Sequence, residues 1–362
     1  MKIGVLGSGQ LGRMLALSAY PLGHQMSFLA SSEEDHSSLL GNTFIQNGSQ
    51  EIIEEFAKNS DVVTYESENT AASIVKEISQ KTMVYPSAKS LYTSQHRGRE
   101  KSLFDKLNIP CAPYQMVNNL SELKIAVENI GLPAILKTAT DGYDGKGQFL
   151  IQSDAQLDQA WKSMSGVESI LEGFVNFKRE LSLVAVRGVD NSHEYYPLVE
   201  NSHHNGILRL TIAPAQNISP KLQQQAESYM RSLLDEMNHV GVLTIELFET
   251  DNNLVVNEMA PRVHNSGHWT IEGSRTSQFE NHIRAITETP LGDTSCTHKY
   301  SAMINIIGEQ GPIDKALTLK NAHLHLYNKT ERKGRKLGHI TITANTLNDL
   351  NSSLETLSDF MP

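Results

Sequence analysis

The chain has 362 residues, of which 39% are hydrophobic and 20% are charged, and its formal net charge is −10. This length exceeds what a single hydrophobic core usually organises, so it predicts two or three domains of an ordinary soluble globular protein. The acidic balance excludes wholesale attraction to nucleic acid or to an anionic membrane. Any anionic substrate must therefore be held by local clusters of cations or amide groups.

The two cysteines indicate a reducing compartment. Cys111 and Cys296 lie far apart in the chain and show no zinc-binding spacing. No run of about 18 apolar residues is present that would predict a membrane span. We therefore predict a cytoplasmic protein with no membrane or nucleic-acid partner.

Strands and helices alternate over roughly the first 90 residues, which predicts a parallel sheet flanked by helices. The strands are expected at residues 2–6, 26–30, 61–65 and 84–85, and the helices at 11–20 and 50–58.

A glycine motif, Gly7-x-Gly9-x-x-Gly12, follows the first strand and opens the first helix. Such a turn brings free amide groups close to an anion. A dinucleotide site also needs an acidic residue at the end of the second strand, where this chain has Ser31 and Ser32. A structural turn and a phosphate-binding loop therefore both remain open.

The middle of the chain predicts a helix over 97–107, a break at Pro110 and Pro113, and a small α+β unit. Its helix is expected at 122–129 and its strands at 134–138, 148–151 and 169–172. From Tyr300 onward the pattern predicts strands with a basic turn between them.

A second glycine-rich stretch, "ILKTATDGYDGKGQ", joins two of these strands. Its amide groups could fold over phosphates, with Lys137 at the end of the preceding strand, although a solvent-exposed hairpin fits equally well. Glu172 and Glu180 are acceptor-only groups that suit ribose hydroxyls or an adenine amine, or are simply surface acids.

The segment "LTIELFETDNNLVVNEMAPR" predicts a hairpin over 242–249 and 254–259. If Thr250 faces Leu254, Glu246 lies opposite Glu258 on the same face. Two carboxylates in that position repel unless a cation lies between them, and Mg²⁺ bound to nucleotide phosphates is the natural occupant. A one-residue shift in register would remove this argument.

These parts together predict a nucleotide site that is neither a Walker site nor a protein-kinase site. The segment "NEMAPRVHNSGHWTIEGSRTSQFENHIRAITETPLG" (residues 257–292), with "GQLGRML", "GYDGKGQ" and "RKGRKLGHIT", resembles the ATP-grasp ligases. Within them it is most similar to the N5-carboxyaminoimidazole ribonucleotide synthetase family of purine biosynthesis. The resemblance covers essentially the whole chain.

The resemblance implies a three-domain ATP-grasp fold of mixed α/β and α+β class. Residues 1–95 would form a Rossmann-like, pre-ATP-grasp domain with a parallel sheet. Residues 96–292 would form the ATP-grasp domain, with a small lid-bearing subdomain over about 112–175. Residues 293–362 would form a small β-rich domain, and the assembly would be a homodimer.

The resemblance also implies the ATP contacts. Arg97 and Lys137 would contact the phosphates beneath the loop formed by Gly142, Tyr143, Asp144, Gly145, Lys146, Gly147 and Gln148. Glu172, Gly173, Phe174 and Val175 would form the adenine hinge and Glu180 would bind the ribose, with further contacts from His203, Asn257 and Glu258. Glu246 and Glu258 would bind Mg²⁺, or Mn²⁺ in its place.

The aminoimidazole ribonucleotide would lie between this site and the opening loop. The resemblance implies substrate contacts from Gly9, Gln10, Leu11, Asn265 and Ser266, and a carboxylation site made of Asp144, Arg262, His264, Lys329 and Arg335. The expected reaction forms carboxyphosphate from ATP and bicarbonate and then carboxylates the exocyclic amine. Either Asp144 or His264 could accept the amine proton.

Three alternatives remain. A sister ATP-grasp enzyme that activates formate would share the nucleotide site and differ at "RVHNSGHW". An NAD-dependent oxidoreductase would rest only on the Gly7–Gly12 motif. A catalytically silent nucleotide-binding protein is disfavoured by the retention of Lys137, Glu246 and Glu258.

Overall fold

The computed structural model describes residues 1–32, 37–142, 147–251 and 253–361 and contains three sheets. The first is the predicted parallel sheet, in the order β3-β2-β1-β4-β5, with one strand, β3, that the sequence pattern did not reveal. Its strands are β1 (Lys2–Leu6), β2 (Gln25–Ala30), β3 (Asn42–Ile45), β4 (Val62–Tyr65) and β5 (Met83–Val84). Its helices are α1 (Gln10–Ala19), α2 (Gln50–Lys58), α3 (Ala72–Ile78) and α4 (Ala88–Ser94).

A second, four-stranded sheet follows helix α5 (Arg97–Lys106) and has the order β6-β9-β7-β8. Its strands pair antiparallel, and the two helices cover a core that includes Leu123, Leu136 and Leu171. The elements are β6 (Tyr114–Val117), α6 (Leu120–Ile130), β7 (Ala134–Thr138), β8 (Gln148–Ile151), α7 (Leu157–Ser163) and β9 (Ser169–Gly173).

The third sheet has nine strands and runs through the middle of the molecule. Its main order is β15-β14-β10-β12-β13-β16-β18-β17, with β11 paired to β10. The strands are β10 (Arg179–Arg187), β11 (His193–Tyr195), β12 (Val199–His204), β13 (Ile207–Ala213), β14 (Gly241–Glu249), β15 (Leu254–Ala260), β16 (Tyr300–Ile307), β17 (Ala322–Leu326) and β18 (Lys336–Ala344). Because β13 pairs with β16, this sheet continues across the predicted boundary at residue 293.

Helices cover both faces of the large sheet. Ser219 caps the longest of them, α8, and Pro220 occupies its first turn, where its missing N–H costs nothing. The helices are α8 (Pro220–Glu236), α9 (Thr270–Gly273), α10 (Gln278–Ile286), α11 (Ile313–Thr318) and α12 (Leu347–Thr356). None of the helices in the described part of the chain combines the length and apolarity that crossing a membrane requires.

A buried histidine joins the N-terminal sheet to the large sheet. His282, on α10, shares a hydrogen bond of 2.8 Å between its Nε2 and Thr64 Oγ1 of β4. Its Nδ1 accepts the backbone N–H of Val242 in β14 at 3.1 Å. Burial, followed by the nearby His239, lowers the pKa of His282 from 6.5 to about 3. The fold therefore holds this ring in its neutral form.

We predict that stability falls as the pH drops below 6.5. The folded-state pKa of His282 is depressed, so only the unfolded chain takes up its proton between pH 6.5 and about 3. Stability is complete above this interval and falls through it by about 1.4 kcal/mol per pH unit for this residue. The free energy of unfolding, measured by urea titration at several pH values, should have a shallower pH slope in His282→Gln. The matched change at exposed His323 should leave the slope unaltered, and equal slopes in both variants would contradict the assignment.

Candidate active site

Two carboxylates face each other at the centre of the site. Glu246 of β14 pairs directly with Glu258 of β15, as predicted from the sequence. The premise of that prediction was wrong by one residue, because Glu249, and not Thr250, pairs with Leu254. A bulge between Glu246 and Leu247 shifts the register by one and restores the predicted pair.

Each carboxylate has a different cationic or polar neighbour. Arg97 Nη1, at the start of α5, donates to Glu258 Oε2 at 2.9 Å. The Nε2 atom of His264 lies 3.4 Å from Glu246 Oε1. Burial and then the charge of Glu258 raise the pKa of Glu246 to about 7. This pair is short of positive charge, which is what a divalent cation would supply.

A lysine pair marks the predicted phosphate end of the site. Lys137 Nζ donates to Glu172 Oε2 at 2.9 Å and lies 3.4 Å from Asn257 Oδ1. Lys101, fully buried on α5, lies 3.5 Å from the same Glu172 oxygen and donates to the Asn257 carbonyl at 2.8 Å. Burial would raise the pKa of Glu172, but the two ammonium groups lower it to about 2.

The predicted hinge lies at the end of β9, where Gly173 and Phe174 donate their N–H groups to the carbonyls of Pro113 and Pro133 at 2.8 and 3.1 Å. On the large sheet, His203 Nδ1 of β12 lies 2.5 Å from Glu180 Oε2 of β10. The structure thus brings the predicted ribose acid and His203 together as one close pair.

The predicted carboxylation segment follows β15. Arg262 makes a two-pronged salt bridge with Glu68, through its Nε to Oε2 and its Nη2 to Oε1 at 2.7 Å. Burial raises the pKa of Glu68, and Arg262 overrides this effect and lowers it to about 2. His264 is a neutral ring, because burial and then the charge of Arg262 lower its pKa to about 3.

The C-terminal residues complete this side of the site. Lys329 donates to Gln10 Oε1 of the opening loop, although 319 positions separate the two residues. Burial, and then the nearby Arg335, lower the pKa of Lys329 to about 8. Arg335 is bonded to Thr330, at 2.7 Å to the hydroxyl. Asn265 exchanges two amide hydrogen bonds with Asn305 of β16, at 3.0 and 2.7 Å.

The opening glycine motif is filled by a side chain of the protein itself. Glu66, which follows β4, accepts the N–H of Gly9 at 2.5 Å and that of Gly12 at 2.6 Å. Gly7 has φ +108°, and a Cβ there would lie 2.5 Å from a Glu66 oxygen. A carboxylate of the protein itself therefore accepts two of the amide groups at this helix N-terminus, which favours the structural turn of the two alternatives that the sequence leaves open.

The second glycine loop is described only at its ends. Tyr143, Asp144, Gly145 and Lys146 lie outside the described residues. The carbonyl of Gly147 accepts the N–H of Thr138 at 2.9 Å, and Gln148 pairs with Lys137 across the hairpin. The base of the loop therefore lies beside the lysine that the sequence assigns to the ATP phosphates.

Sequence analysis missed three of the charged residues in the site: Glu66, Glu68 and Lys101. A signal for Lys101 was present, because Arg97 and Lys101 are four apart and share one face of a helix. Glu66 and Glu68 alternate after a strand, but nothing in the local pattern links them to the glycine motif or to Arg262. Ser266 has no exposed surface, and its Oγ lies 2.9 Å from His264 Nδ1. This contact favours a positioning role for Ser266 over direct substrate contact.

Comparisons with known families cover nearly the whole chain. Residues 1–95 match the ribonucleotide synthetase preATP-grasp domain, 102–279 the ATP-grasp domain, and 301–353 the phosphoribosylaminoimidazole carboxylase C-terminal domain. The chain is 46% identical over 343 residues to N5-carboxyaminoimidazole ribonucleotide synthase of Pseudomonas aeruginosa, covering 94% of each. It is 40% identical over 345 residues to the synthase of Bacillus subtilis, covering 94% of this chain and 90% of that protein.

Solved structures show the same similarity. The N5-carboxyaminoimidazole ribonucleotide synthetase of Thermus thermophilus superposes with a TM-score of 0.94 at 45% identity, over 98% of this chain and 97% of that one. The synthase of Aspergillus clavatus, solved with ADP and 5-aminoimidazole ribonucleotide, gives a TM-score of 0.92 at 33% identity, over 99% and 98%.

We predict that Glu66→Ala frees the N–H groups of Gly9 and Gly12 to bind an anion in place of the carboxylate. Removing the carboxylate leaves the N–H groups of Gly9 and Gly12 without this acceptor and should lower stability by about 2 kcal/mol. Inorganic phosphate should then raise the thermal midpoint of Glu66→Ala more than that of the parent. Glu51→Ala, at an exposed position, serves as the control, and an equal phosphate effect in all three proteins would contradict the prediction.

Proposed function

Because this chain belongs to the N5-carboxyaminoimidazole ribonucleotide synthase family of ATP-grasp ligases, we propose how its residues divide the family's reaction between them. The reaction is the ATP-dependent carboxylation of 5-aminoimidazole ribonucleotide in purine biosynthesis. The single observation that carries the assignment is the position of two opposed carboxylates, Glu246 and Glu258, on the large sheet. The two opposed carboxylates lie between the Lys137 end and the Arg262–His264 segment.

In the first step, bicarbonate attacks the γ-phosphate of ATP and ADP leaves, which yields carboxyphosphate. Phosphoryl transfer needs positioning and charge neutralisation more than covalent help. Lys137 and Arg97 would neutralise the phosphate oxygens, with Gly142–Gln148 as the loop above them. Glu172–Val175 would bind adenine, and Glu180 with His203 would bind the ribose.

The opposed carboxylates fit a divalent cation. Mg²⁺ takes oxygen ligands and keeps positions for phosphate oxygens, and no third His, Cys, Asp or Glu ligand joins the pair within the described ranges. Glu246 and Glu258 would hold Mg²⁺, or Mn²⁺ in its place, and Asn257 would lie beside it. When bound, the ion neutralises charge on the transferred phosphoryl group.

In the second step, the exocyclic amine attacks the carboxyl carbon and phosphate leaves. Arg262 and His264 would orient the carboxyl oxygens, and Asp144 of the lid loop would lie near the amine. Lys329 and Arg335 would attract the anionic ribonucleotide, with Gly9, Gln10 and Leu11 of the opening loop and Asn265 completing its pocket. The contact between Lys329 and Gln10 supports this pocket, because it joins the first and last domains at one point.

We further propose a cytoplasmic homodimer that binds neither nucleic acid nor membrane. The net charge of −10 supports the absence of both partners.

The function is tested by phosphate release from Mg·ATP with 5-aminoimidazole ribonucleotide and bicarbonate added singly and together. Fast release that requires the ribonucleotide, with a bicarbonate-derived carboxyl group in the product, is the expected result. Release that depends on formate instead would favour the sister ligase, and release that depends on neither acceptor would overturn the proposal.

We predict that Glu258→Gln abolishes Mg·ATP turnover while the protein still folds. The change removes one negative charge from the opposed pair and weakens cation binding, so kcat should fall by about a hundredfold or more. Turnover and the far-UV circular dichroism spectrum are measured on the same preparation. Exposed Glu355→Gln should retain full activity, and turnover retained in Glu258→Gln would exclude the metal-binding role.

A further inference from the structure

A line of buried polar side chains crosses the large sheet and ends at His264. It begins at Thr211 on β13, passes through Asn201 on β12 and Ser182 on β10, and reaches Ser266 beneath the histidine. None of these four residues is more than 6% exposed. Burying polar groups is costly unless they are hydrogen-bonded, and these four side chains bond to one another.

The hydrogen bonds in this line all point the same way. Thr211 Oγ1 donates to Asn201 Oδ1 at 2.9 Å, so the Asn201 amide nitrogen is left to donate to Ser182 Oγ, also at 2.9 Å. Ser182 has one hydroxyl hydrogen, which it donates to Ser266 Oγ at 2.7 Å. Ser266 must then direct its own hydrogen to His264 Nδ1, 2.9 Å away.

A second contact fixes the same nitrogen independently. The backbone N–H of Ser266 also points at His264 Nδ1, at 3.3 Å. A nitrogen that accepts two hydrogens carries none of its own. Gln278 holds the main chain at this position, because it accepts the backbone N–H of His264 at 2.9 Å and donates to its backbone carbonyl at 2.7 Å.

We propose that the Thr211–Asn201–Ser182–Ser266 line is a positioning device that fixes His264 as the Nε2–H tautomer. The ring then presents a hydrogen-bond donor toward Glu246 and the carboxylation site, and it has no free nitrogen with which to accept a proton there. This role rests on the proposed function of His264. The assignment of the tautomer itself does not depend on the proposed function.

The tautomer excludes His264, one of the two candidates named from the sequence for accepting the amine proton. When the amine attacks carboxyphosphate, a carbon–nitrogen bond forms, the carbon–oxygen bond to phosphate breaks, and the amine loses a proton. His264 donates a hydrogen bond to the carboxyl oxygens in this step and does not accept that proton. The leaving phosphate, an oxyanion formed in the same step, can accept it.

The test is nitrogen NMR of the enzyme labelled with ¹⁵N-histidine, because chemical shifts distinguish a protonated ring nitrogen from a bare one. The resonances of His264 are assigned by their loss in His264→Asn. We expect a bare Nδ1 and a protonated Nε2 in the parent. A protonated Nδ1 would overturn the proposal, whatever substrate the enzyme uses.

Kinetics of three variants test the functional consequence. Ser266→Ala and Ser182→Ala should lower kcat by about tenfold or more, whereas KM for ATP stays unchanged, because an incorrectly held tautomer impairs the chemical step. Thr211→Val, at the far end, should have the smallest effect. Ser274→Ala is the matched control, since it removes a buried serine hydroxyl that bonds to the backbone carbonyls of Thr294 and Ser295.

We expect the loss of kcat to be larger the closer the substituted residue lies to His264. A larger loss should be accompanied by a larger population of His264 rings protonated at Nδ1. Losses equal to that of Ser274→Ala, or no change in the ring nitrogens of Ser266→Ala, would contradict the device. A parent enzyme that carries the predicted tautomer but does not carboxylate the ribonucleotide would refute the proposed function alone.

Discussion

The repulsion between Glu246 and Glu258 is the constraint on which the rest of the site depends. An antiparallel pair holds their Cβ atoms about 5 Å apart, a separation that is unfavourable for two charged groups unless positive charge compensates it. Arg97 supplies part of that charge on one side. A nucleotide-bound cation would supply the rest.

The other acidic residues of the site are compensated internally. Glu172 has two lysines, Glu68 has Arg262, and Glu66 has the amide groups of the opening turn. Each of these partners is thereby held in place before any substrate binds. Such preorganisation lowers the cost of aligning charges in the transition state. A glycine motif that is typical of dinucleotide sites binds a carboxylate of the protein itself here.

The C-terminal strands belong to the site as well as to the sheet. Asn305 of β16 holds Asn265, and His339 of β18, its cross-strand partner, bonds to the hydroxyl of Tyr327 at 2.6 Å. The Tyr327 ring lies 5.8 Å from the ammonium group of Lys329. The last domain therefore helps to place both the segment after β15 and the lysine that contacts the opening loop.

The sequence by itself determined the parallel N-terminal sheet, the small α+β unit, the central hairpin and the family. These follow from local periodicity and from motifs a few residues long, which need no knowledge of distant contacts. Helix limits shifted by one or two residues. Helix α6 begins two residues earlier than predicted, where the Asn119 side chain caps it, whereas α1 is displaced by one residue and has no side-chain cap.

Only the tertiary structure decided which polar and charged groups meet across long separations in the sequence. Glu66 closes on Gly9 and Gly12 from more than 50 positions away, Lys329 reaches Gln10, and Thr211 connects through three side chains to His264. The bulge between Glu246 and Leu247 also could not be counted from the sequence. It offsets the one-residue error in the predicted pairing next to the hairpin turn. Such pairings depend on strand order and register across the whole sheet, and sequence spacing carries no information about either once the contacts are this distant.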